Sequence, residues 1–495
     1  MLFFYDIIFL LKEDDNMKKI DTDIKDCYIL EVERFGDERG YFTSITENQF
    51  KSFDFNRIVQ VSNSLSQRGV LRGLHFQKNP YNQSKIVRCH HGAVLCVAVD
   101  LRKDSDTYKK YITAELSEEN KRLLYIPRGF GFGFLALEND SLFEYYVDNE
   151  YAPRLDDGIP YNDKDINIPW DEIKKEYNID EFILSNKDQN LTSLELNAPE
   201  FRKEKTRFLI TGASGLLGHD IIDELHQRGE YDILALSSKD MDITNKDRVN
   251  EVINSYKPDV IFHSAAYTNT NKAETDEESA YDLNVNGTKN IVKAAKEVNA
   301  KVIYISSDYV FDGTKDGMYT EEDQPNPSNV YGKTKFNGEE EVKKYDKYFI
   351  VRTSWLFGAH GKNFVKTMLN LSLTKDQIDV VDDQVGSPTY TKDLAKLLVE
   401  MAYSNKYGIY HATNEGFCSW ASFAEYIMEL KNKNCKINKV TTAEYNKNNE
   451  SAPRPLNSKL SKQKLIDNNF YNLPDYKDAL DRYFKELEIT VKTSL

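Results

Sequence analysis

The feature that most constrains the fold is a change of periodicity near residue 205. From about residue 25 to 150, short segments rich in β-branched and aromatic residues, such as AVLCVAVDL and SLFEYYVDNEY, follow one another with turn signals between them. Their spacing of roughly 8–12 residues is typical of an all-β sandwich or barrel. Beyond residue 205, apolar strands alternate with amphipathic helical segments, beginning with TRFLITGASGLLGHDIIDELHQRG. This alternation predicts a doubly wound parallel sheet, and therefore an α/β domain after an all-β domain.

The length agrees with a multidomain protein, because 495 residues are too many for one core. We predict an extension over residues 1–16, an all-β domain over 17–190, a linker over 191–205 and an α/β domain over 206–495. The linker is expected where the periodicity is lost and a proline and a charge run appear. The apolar run at the start, of about eleven residues, is too short for a bilayer span of ~20 and lacks the basic start and cleavage site of a signal peptide.

Composition limits the classes of partner. The formal charge of −15 argues against a nucleic-acid partner, because phosphate backbones are bound by clustered lysine and arginine. It does not exclude a nucleotide, which needs only a local positive pocket. No membrane partner is expected. A reducing cytoplasm is expected because the cysteines show neither metal-site spacing nor an even-numbered disulfide framework: they are Cys27, Cys89, Cys96, Cys418 and Cys435.

A glycine-rich turn directly follows the first strand of the α/β half. Gly212, Gly215 and Gly218 lie between the strand FLIT and a helix, so that the backbone can turn tightly and approach a pyrophosphate at the positive end of that helix. A plain turn between strand and helix is the competing interpretation. The second strand leads into Ser237 and Lys239 before any acidic residue appears, which leaves room for a 2′-phosphate. The pattern predicts a dinucleotide cofactor and leaves NADPH and NADH open.

A serine, a tyrosine and a lysine form the second pattern in this half. Ser307 ends the strand VIYISS, and Tyr331 and Lys335 have the spacing that puts two side chains on one face of a helix. There the ammonium would lower the pKa of the phenol and favour proton transfer near neutral pH, while the serine hydroxyl can hydrogen-bond a carbonyl that is being reduced. Taken alone, the Tyr–Lys spacing also fits a surface pair. Together with the glycine turn, it predicts a hydride-transfer site.

Seven segments of this half closely resemble the dTDP-4-dehydrorhamnose reductases: ITGASGLLG, SAAYTNTNKAE, ISSDYVFDGT, YGKTKFNGE, VRTSWLFGAHGKNFV, DDQVGSPTYTKDLA and APRPLNSKL. These are extended short-chain dehydrogenases that reduce the C4 ketone of a nucleotide sugar, and the resemblance covers about residues 206–485. It implies that Tyr331 donates the proton and that Lys335 orients it against the nicotinamide ribose. Ser307, where the family usually has threonine, would contact the substrate together with Asp308.

The same resemblance implies the binding residues of the α/β half. The cofactor would be held by the glycine turn, by two positions on its adenine side and by one loop: these are Gly212, Gly215, Leu216, Leu217 and Gly218, then Asp242 and Ile243, and finally Ala265, Ala266 and Tyr267. Trp355 would contact the sugar. Arg454 and Asn457 would contact the diphosphate, where a guanidinium offers bidentate geometry. Some family members use Mg²⁺ at a dimer interface, but no motif in this chain establishes such a site.

In the all-β half, His75 stands among apolar strand residues with Arg72, Lys85 and Arg88 near it in the sequence. Composition alone favours a structural histidine over a functional one. The segments DERGYF, VLRGLHFQ, KIVRC, VAVDLRKDS, ENKRLLYIPRGF, EYYVDNEYAP and LSNKD resemble the dTDP-4-dehydrorhamnose 3,5-epimerases, which are cupin-type jelly rolls. The resemblance covers about residues 20–190 and implies a site that removes protons next to a ketone.

The chemistry of that family suits the residues of this chain. The protons on C3 and C5 are both α to the C4 ketone, so that one base can remove either and an enolate forms each time. By the resemblance, His75 is the base, Asp188 holds it and makes it more basic, and Tyr145 returns a proton from the opposite face. Positive charge for the enolate and diphosphate, and further substrate contacts, would come from Lys85 and Arg72 and from Arg39 and Lys187.

Three positions around the ligand depart from the epimerase pattern. Phe132 stands where a substrate-contacting histidine is usual, Ser44 where a glutamate is usual, and Ser62 where an asparagine is usual. The base, its acid partner and the tyrosine are retained, which favours an active epimerase over a non-catalytic binding domain. Exchange at C3 alone, or action on another sugar, stays open as an alternative.

The two resemblances together predict a bifunctional cytoplasmic enzyme and a homodimer. The first domain would epimerise dTDP-4-dehydro-6-deoxy-D-glucose, and the second would reduce the product with NADPH or NADH. One alternative is a reductase whose first domain is not catalytic. Another is a non-enzymatic regulatory protein, because the regulatory subunit of methionine adenosyltransferase resembles the same reductase family. The presence of Ser307, Tyr331 and Lys335 argues against the latter.

Overall fold

The computed structural model describes residues 17–493, except residues 52, 54, 56, 230, 231 and 448–450. The chain divides into two units, one that ends at Lys205 and one that comprises Thr206–Leu495. The predicted extension over residues 1–16 lies outside the described residues. Within those residues, no helix combines the length and the apolar character that crossing a bilayer requires.

The first unit is a jelly roll of antiparallel strands with a few short helices. Its strands are β1 (Met17–Asp21), β2 (Tyr28–Val32), β3 (Phe35–Asp37), β4 (Gly40–Phe42), β5 (Gln60–Ser66), β6 (Leu71–Gln77), β7 (Lys85–His91), β8 (Ala93–Asp100), β9 (Tyr111–Ser117), β10 (Arg122–Ile126), β11 (Phe130–Ala136), β12 (Ser141–Val147) and β13 (Asp156–Gly158). Its helices are α1 (Glu47–Lys51), α2 (Trp170–Glu176), α3 (Asn186–Gln189) and α4 (Leu194–Asn197).

Two sheets face each other in this unit. One has the order β1-β2-β10-β7-β12-β5 and the other the order β13-β6-β11-β8-β9, while β3 and β4 form a separate hairpin. Every residue of β8 is buried, and its successive side chains point to opposite faces of the sheet. Cys96 and Ala98 pack between the two sheets, whereas Val97 and Val99 pack on the outer side against Trp170 of α2. The all-β prediction is therefore confirmed.

The segment expected to be a linker, residues 191–205, packs in part on the first unit. Leu194 of α4 and Phe201 are buried in the core that covers the outer side of the five-stranded sheet. A short bridge also joins Phe201 to Arg102. Two apolar residues among polar ones show no periodicity, so the sequence pattern did not reveal that these side chains are buried. Lys205 is the last residue of the first unit.

The second unit is built on a parallel sheet of the order β15-β14-β16-β17-β18-β23, which confirms the doubly wound prediction. Its strands are β14 (Phe208–Thr211), β15 (Ile233–Leu236), β16 (Val260–His263), β17 (Lys301–Ser307), β18 (Tyr348–Thr353), β19 (Leu356–Phe357), β20 (Gln377–Val381), β21 (Val385–Gly386), β22 (Thr389–Tyr390), β23 (Gly408–His411), β24 (Cys418–Ser419) and β25 (Lys436–Val440).

Helices cover both faces of this sheet. They are α5 (Leu216–Gln227), α6 (Lys246–Tyr256), α7 (Thr270–Ala273), α8 (Glu277–Tyr281), a π-helix (Asp282–Gly287), α9 (Thr288–Glu297), a 3₁₀ turn (Asp308–Val310), α10 (Val330–Val342), α11 (Phe364–Leu371), α12 (Thr391–Ala402), α13 (Trp420–Leu430), α14 (Thr442–Asn446), α15 (Gln463–Asp467) and α16 (Tyr476–Thr493).

Alternate side chains of β14 point to opposite faces of the sheet and pack against different helices. Phe208 and Ile210 belong to the core shared with α5 and α12, and Leu209 belongs to the core shared with α6 and α9. All four residues of β14 are buried, as expected for a parallel strand covered on both sides. Because β15 and β16 lie on opposite sides of β14, the strand order reverses there and leaves a crevice at the carboxyl ends of the strands.

A buried ion pair fastens α10 to the sheet. Arg352 of β18 donates to both carboxylate oxygens of Glu339, at 2.9 and 2.7 Å, and the exposed fractions of the two residues are 1% and 0%. Ser306 of β17 donates to the same carboxylate at 2.5 Å. One carboxylate on the helix is therefore bonded to two neighbouring strands.

We expect Glu339→Gln to lower the free energy of unfolding of the second unit by about 3 kcal/mol, because it leaves the buried Arg352 guanidinium without a counter-charge. The measurement is urea denaturation followed by tryptophan fluorescence in a Trp170→Phe background. The chain has 3 tryptophans, so this background leaves Trp355 and Trp420 of the second unit as reporters.

Glu340→Gln on the same helix is the matched control. Its carboxylate pairs with Lys343 and its side chain is 49% exposed, so a change below ~0.5 kcal/mol is expected. Equal losses in the two variants would contradict a special role for the buried pair.

Candidate active sites

A histidine and an aspartate pair in the first unit. His75 lies on β6, and its Nε2 is 2.5 Å from Oδ1 of the buried Asp188 in α3. Ser185, the N-cap of α3, donates from Oγ to Oδ2 of Asp188 at 2.8 Å. Burial acts to raise the pKa of Asp188, but the hydrogen bonds of His75 and Ser185 outweigh it and hold the pKa below its ordinary value. The aspartate therefore stays ionised and can orient the imidazole and increase its basicity.

A row of aromatic side chains connects His75 with Tyr145. Phe132 of β11 is directly opposite His75 of β6 in the strand register. The Phe132 ring is 8% exposed and stacks at 6.1 Å on Phe143, which in turn contacts the Tyr145 ring at 6.2 Å. Gly158 lies on the other side of His75, where an added Cβ would be 3.2 Å from the imidazole Cδ2. His75, Phe132 and Tyr145 thus border one interior space.

Two of the predicted basic contacts converge beside β13. Lys187 donates to Asp156 Oδ2 at 2.6 Å, and burial lowers the pKa of Lys85 to about 8 although Asp148 and Asp156 act to raise it. Lys85 also donates to Gln83 Oε1 at 2.7 Å. An amine with this pKa is still mostly protonated at neutral pH, so Lys85 can stabilise a developing enolate.

The other two basic contacts are engaged elsewhere. Arg72 Nε donates to Ser66 Oγ at 3.2 Å. Arg39 pairs with Asp37 in the hairpin of β3 and β4, and its side chain is 72% exposed. The substrate-binding role of Arg39 stays a prediction.

The serines that depart from the family pattern lie at different places. Ser62 is opposite Tyr145 in the register of β5 and β12, and Gln60 Nε2 donates to its Oγ at 2.9 Å. It therefore borders the interior space next to the tyrosine. Ser44 is partly buried in the segment between β4 and α1.

In the second unit, Ser307, Asp308 and Tyr331 form a hydrogen-bonded group at the carboxyl end of β17. Ser307 Oγ donates to Asp308 Oδ1 at 2.8 Å. Burial raises the pKa of Asp308 to about 6, although hydrogen bonds of Ser458 and Ser307 act to lower it. Ser307 also acts to lower the pKa of Tyr331, so the two hydroxyls lie near each other. The predicted serine and tyrosine are thus adjacent.

The predicted effect of Lys335 on Tyr331 is wrong for this structure. Burial raises the pKa of the Tyr331 phenol, and the hydrogen bond of Ser307 lowers it only in part. The Lys335 ammonium lies 4.1 Å from the centroid of the Tyr304 ring, and burial lowers its pKa to about 7 despite the nearby Glu339. Its charge is therefore only partly present at neutral pH. A phenol that remains protonated is suited to donate a proton.

The glycine turn has the close contacts that a dinucleotide site needs. Gly212 has φ +69°, and an added Cβ would be 2.7 Å from the Ala265 nitrogen. At Gly218 a Cβ would be 2.4 Å from the Gly212 oxygen. Gly215 is the N-cap of α5, whose first residues are Leu216 and the buried Leu217. The amides of this first turn can therefore donate to a pyrophosphate.

A buried asparagine links the loop that follows β16 to helix α10. Asn284 of the π-helix accepts from the Tyr267 amide at 2.8 Å and donates to Thr334 Oγ1 at 2.9 Å. Thr334 precedes Lys335 on α10. Ala265 and Ala266 lie in the same loop and are partly buried. The loop that follows β16 is therefore held against the helix that carries Tyr331 and Lys335.

The adenine side of the predicted cofactor site is more open. Asp242 accepts from the amide and hydroxyl of Thr244, and Ile243 packs against Gly287, where a Cβ would be 2.7 Å from it. Ser237 at the end of β15 donates to Asp240 Oδ2 at 2.6 Å, and Lys239 is exposed. An exposed lysine beside this turn fits a 2′-phosphate.

The two residues predicted to contact the diphosphate, Arg454 and Asn457, differ in their hydrogen-bond partners. Arg454 Nη1 donates to the Tyr309 hydroxyl at 3.2 Å, and the Tyr309 ring is 5.7 Å from the Tyr331 ring. Asn457 donates to the carbonyls of Lys315 and Gly317 at 2.6 and 2.7 Å, so its amide holds a neighbouring loop. Arg454 is thus close to Tyr331, whereas the Asn457 amide is already engaged.

Four residues that contact these sites were not predicted from the sequence. They are Ser185, Asn284, Trp420 and Ser458, which contact Asp188, Tyr267, Trp355 and Asp308. Ser185 was recognisable, because a serine three residues before an acid is a helix N-cap signature. The others act through contacts between segments that are distant in the sequence.

One cluster among the described residues brings metal-ligating groups together. Asp220, Asp223 and His360 each offer a ligand atom, and these atoms lie within 4.8 Å of one another. Mg²⁺ takes oxygen ligands, so a histidine nitrogen does not fit it, and burial raises the pKa of Asp220 to about 6. The cluster gives no support for the Mg²⁺ ion left open above, and we assign no metal.

The two units match different families of known proteins. Residues 206–489 match the family described as RmlD substrate binding domain, and residues 21–195 match the family dTDP-4-dehydrorhamnose 3,5-epimerase. A dTDP-4-dehydrorhamnose reductase of Aggregatibacter actinomycetemcomitans is 44% identical over 273 residues, which cover 52% of this chain and 92% of that protein.

Two further relatives match the second unit over nearly their whole length. The spore coat polysaccharide biosynthesis protein SpsK of Bacillus subtilis (strain 168) is 40% identical, with 57% of this chain and 98% of that protein covered. The crystal structure of dTDP-4-dehydrorhamnose reductase from Bacillus anthracis str. Ames in complex with NADP is 42% identical with a TM-score of 0.55, and covers 57% of this chain and all of that chain.

The raised pKa of Asp308 predicts a pH-dependent stability. A carboxyl whose pKa rises from 3.8 to about 6 on folding binds its proton more tightly in the folded state, so the protein loses stability as the pH rises through that window. Asp308→Asn removes this loss. Relative to the parent protein, the variant should gain ~2–3 kcal/mol in free energy of unfolding between about pH 4 and pH 7.

Urea denaturation across this pH range measures the gain. Asp312→Asn is the control, because the pKa of Asp312 is lowered to about 2 by hydrogen bonds of Thr314 and by Asn326 and Tyr319, although burial acts to raise it. That carboxylate is ionised in both states above about pH 5, so from there upwards its variant should differ from the parent by a constant amount. A pH-independent difference for Asp308→Asn would refute the assignment.

Proposed function

The chain belongs to the RmlD family and carries an epimerase-family domain before it, and from this premise we propose that one polypeptide catalyses two consecutive steps of dTDP-L-rhamnose formation. The first unit would epimerise dTDP-4-dehydro-6-deoxy-D-glucose at C3 and C5, and the second would reduce the C4 ketone of the product. The observation that carries the proposal is the presence of two complete proton-handling groups, His75 with Asp188 and Ser307 with Tyr331.

In the first unit, His75 would remove a proton from carbon next to the ketone. The ionised Asp188 stabilises the imidazolium that forms, at the 2.5 Å contact described above. Negative charge that develops on the ketone oxygen would be stabilised by Lys85. Tyr145, beyond Phe132 and Phe143, would return a proton to the other face and so invert the carbon.

In the second unit, reduced nicotinamide would supply the hydride, and the residues of this chain would bind, orient and protonate the ketone. Ser307 Oγ would hydrogen-bond the ketone oxygen, and the protonated Tyr331 would transfer its proton to that oxygen as negative charge develops. Lys335 would orient the tyrosine and the nicotinamide ribose. The raised pKa of Tyr331 favours the protonated, donating form before reaction.

We assign NADPH as the cofactor. The pyrophosphate would lie on the amides at Gly215 and Leu216, and the loop of Ala265, Ala266 and Tyr267 would cover the nicotinamide half. The exposed Lys239 is available to a 2′-phosphate, and the related structure from Bacillus anthracis str. Ames holds NADP. Substrate contacts are assigned to Trp355 and Arg454, and a cytoplasmic homodimer is the proposed state.

Joining the two activities has a thermodynamic reason. Epimers of one ketone differ little in free energy, so the epimerisation is readily reversible. Reduction by NADPH withdraws one epimer and draws the sequence forward. The two units need only share a substrate pool for this effect.

Deuterium exchange tests the first activity without the second. The purified chain is incubated with dTDP-4-dehydro-6-deoxy-D-glucose in D₂O without NADPH, and incorporation is followed by NMR. We expect deuterium at both C3 and C5, because one base removes each proton in turn. His75→Asn should abolish exchange, whereas Tyr331→Phe should leave it intact.

Addition of NADPH then tests the second activity by the loss of reduced-nicotinamide absorbance. Tyr331→Phe should lower kcat at least ~100-fold, because general acid catalysis contributes 10²–10⁴. If the parent chain shows no exchange, the proposed epimerase activity is rejected, and exchange at C3 alone limits that activity to C3. If NADPH is not consumed, the proposed reductase activity is rejected.

Phe132 is expected to set the balance between the two exchanges. Phe132→His replaces an apolar ring opposite the base with a hydrogen-bonding group, so it should change the ratio of C3 to C5 exchange by severalfold. Phe130→His, on the same face but distant from the His75 register, is the control. An unchanged ratio and rate in Phe132→His would mean that this position only packs.

A further inference from the structure

Trp355 has an unusual backbone conformation. Its φ of +50° lies in the left-handed region, which bulky residues rarely adopt, and among the non-glycine residues of the described chain with positive φ it is the one aromatic residue. The Trp355 carbonyl accepts from the Thr389 amide at 3.1 Å, and Ser354 Oγ donates to the Ser387 carbonyl at 2.9 Å. A conformation of this kind persists only where the surroundings determine it, and it marks functional sites.

A second tryptophan stacks on Trp355. The ring centroids of Trp355 and Trp420 are 3.6 Å apart with an interplanar angle of 11°. Trp420 is the first residue of α13, after its N-cap Ser419, and its other neighbour is the Phe364 ring at 4.4 Å. Both indoles are partly exposed. The stack therefore forms a supported aromatic surface that solvent or a ligand can reach.

This surface adjoins the catalytic group. An added Cβ at Gly386 would be 2.9 Å from Trp355 Cε2 and 3.2 Å from Ser458 Cβ. Ser458 acts to lower the pKa of Asp308, so its hydroxyl lies near that carboxyl, and Asp308 Oδ1 accepts from Ser307 Oγ at 2.8 Å. The Cβ position of Gly386 is thus within 3.2 Å of both the Trp355 indole and Ser458, so the indole and this serine lie close together.

We infer that Trp420 is a positioning residue for sugar binding: by stacking on Trp355 it holds that indole in its left-handed conformation, face towards the apolar side of a 6-deoxy sugar. The inference rests on the proposed reductase function. An apolar methyl group and the C–H faces of a hexose pack well on an indole, and a stacked partner fixes the ring without touching the sugar itself. The effect of Trp420 is therefore on binding, and the proton-transfer residues stay in place.

The tryptophan pair supplies its own spectroscopic signal. Two stacked indoles couple their electronic transitions, which gives a paired positive and negative band in the far-ultraviolet circular dichroism. The chain contains 3 tryptophans, and Trp170 lies in the first unit, so Trp355 and Trp420 are the stacked pair that reports on this site. We expect titration with dTDP-L-rhamnose to change this band in the parent protein.

The kinetic test runs the reductase in reverse, with dTDP-L-rhamnose and NADP⁺, so that the first unit does not supply the substrate. Trp420→Ala should raise the KM for dTDP-L-rhamnose about 10-fold and change kcat less than ~3-fold, because the support of the indole is lost. The Kd for NADPH should not change. Trp420→Phe keeps a stacked ring, so it should retain a KM within ~3-fold of the parent while the paired band disappears.

Trp170→Phe is the matched control, with both the band and the kinetics unchanged. A parent-like KM in Trp420→Ala would overturn the inference, as would weakened NADPH binding in step with KM, since that indicates only a structural role. If the parent chain shows no reductase activity, the proposed function fails, and the titration still decides: a band shifted by dTDP-L-rhamnose supports the inference and an unshifted band rejects it.

Discussion

The ion pair between Glu339 and Arg352 is the interaction on which the geometry of the reductase site depends. It is almost fully buried and joins α10 to β18, while Ser306 joins the same carboxylate to β17. Tyr331 and Lys335 lie on the same helix, and Ser307 follows Ser306 on the strand. A shift of α10 against the sheet would therefore move Tyr331 away from Ser307, which acts on its pKa.

Burial at this site has a chemical consequence. It keeps the Tyr331 phenol protonated, removes part of the charge of Lys335 and raises the pKa of Asp308 to about 6. Each group is thereby shifted towards its neutral form, as expected where water is excluded. A neutral, hydrogen-bonded donor beside a ketone suits a reduction in which negative charge appears on oxygen only during the reaction.

In the first unit, burial and hydrogen bonding also determine the charge of a site residue, but here they keep it ionised. His75 is partly exposed, with 34% of its side chain accessible, but its partner Asp188 is buried and kept ionised by hydrogen bonds. Phe132 makes one wall of this space apolar where the epimerase family usually has a histidine. The pair of His75 and Asp188 is intact, and under the proposed function Phe132 would affect which carbon is presented to His75 and the rate at which it reacts.

Several features were predictable because they depend on short-range pattern. The strands from β8 to β12 follow from runs of β-branched and aromatic residues, and the glycine turn before α5 follows from three glycines between a strand and a helix. The placement of Ser307 and Tyr331 in one site was also predicted, since the serine ends a strand and the tyrosine lies on a helix face. The burial of Leu194 and Phe201 was not, because two isolated apolar residues show no periodicity.

The sequence by itself determined the two fold classes and the point near residue 205 where one changes into the other. It also determined the residue types at both sites. All of these depend on periodicity and local spacing along the chain. Only the tertiary structure decided the pKa values, the contact of Asn284 with the cofactor loop and the stacking of Trp420 on Trp355. The physical reason is that burial and contacts between distant segments exist only after the chain has folded. The direction of the Tyr331 shift shows this, since spacing predicted a lowered pKa and burial raised it.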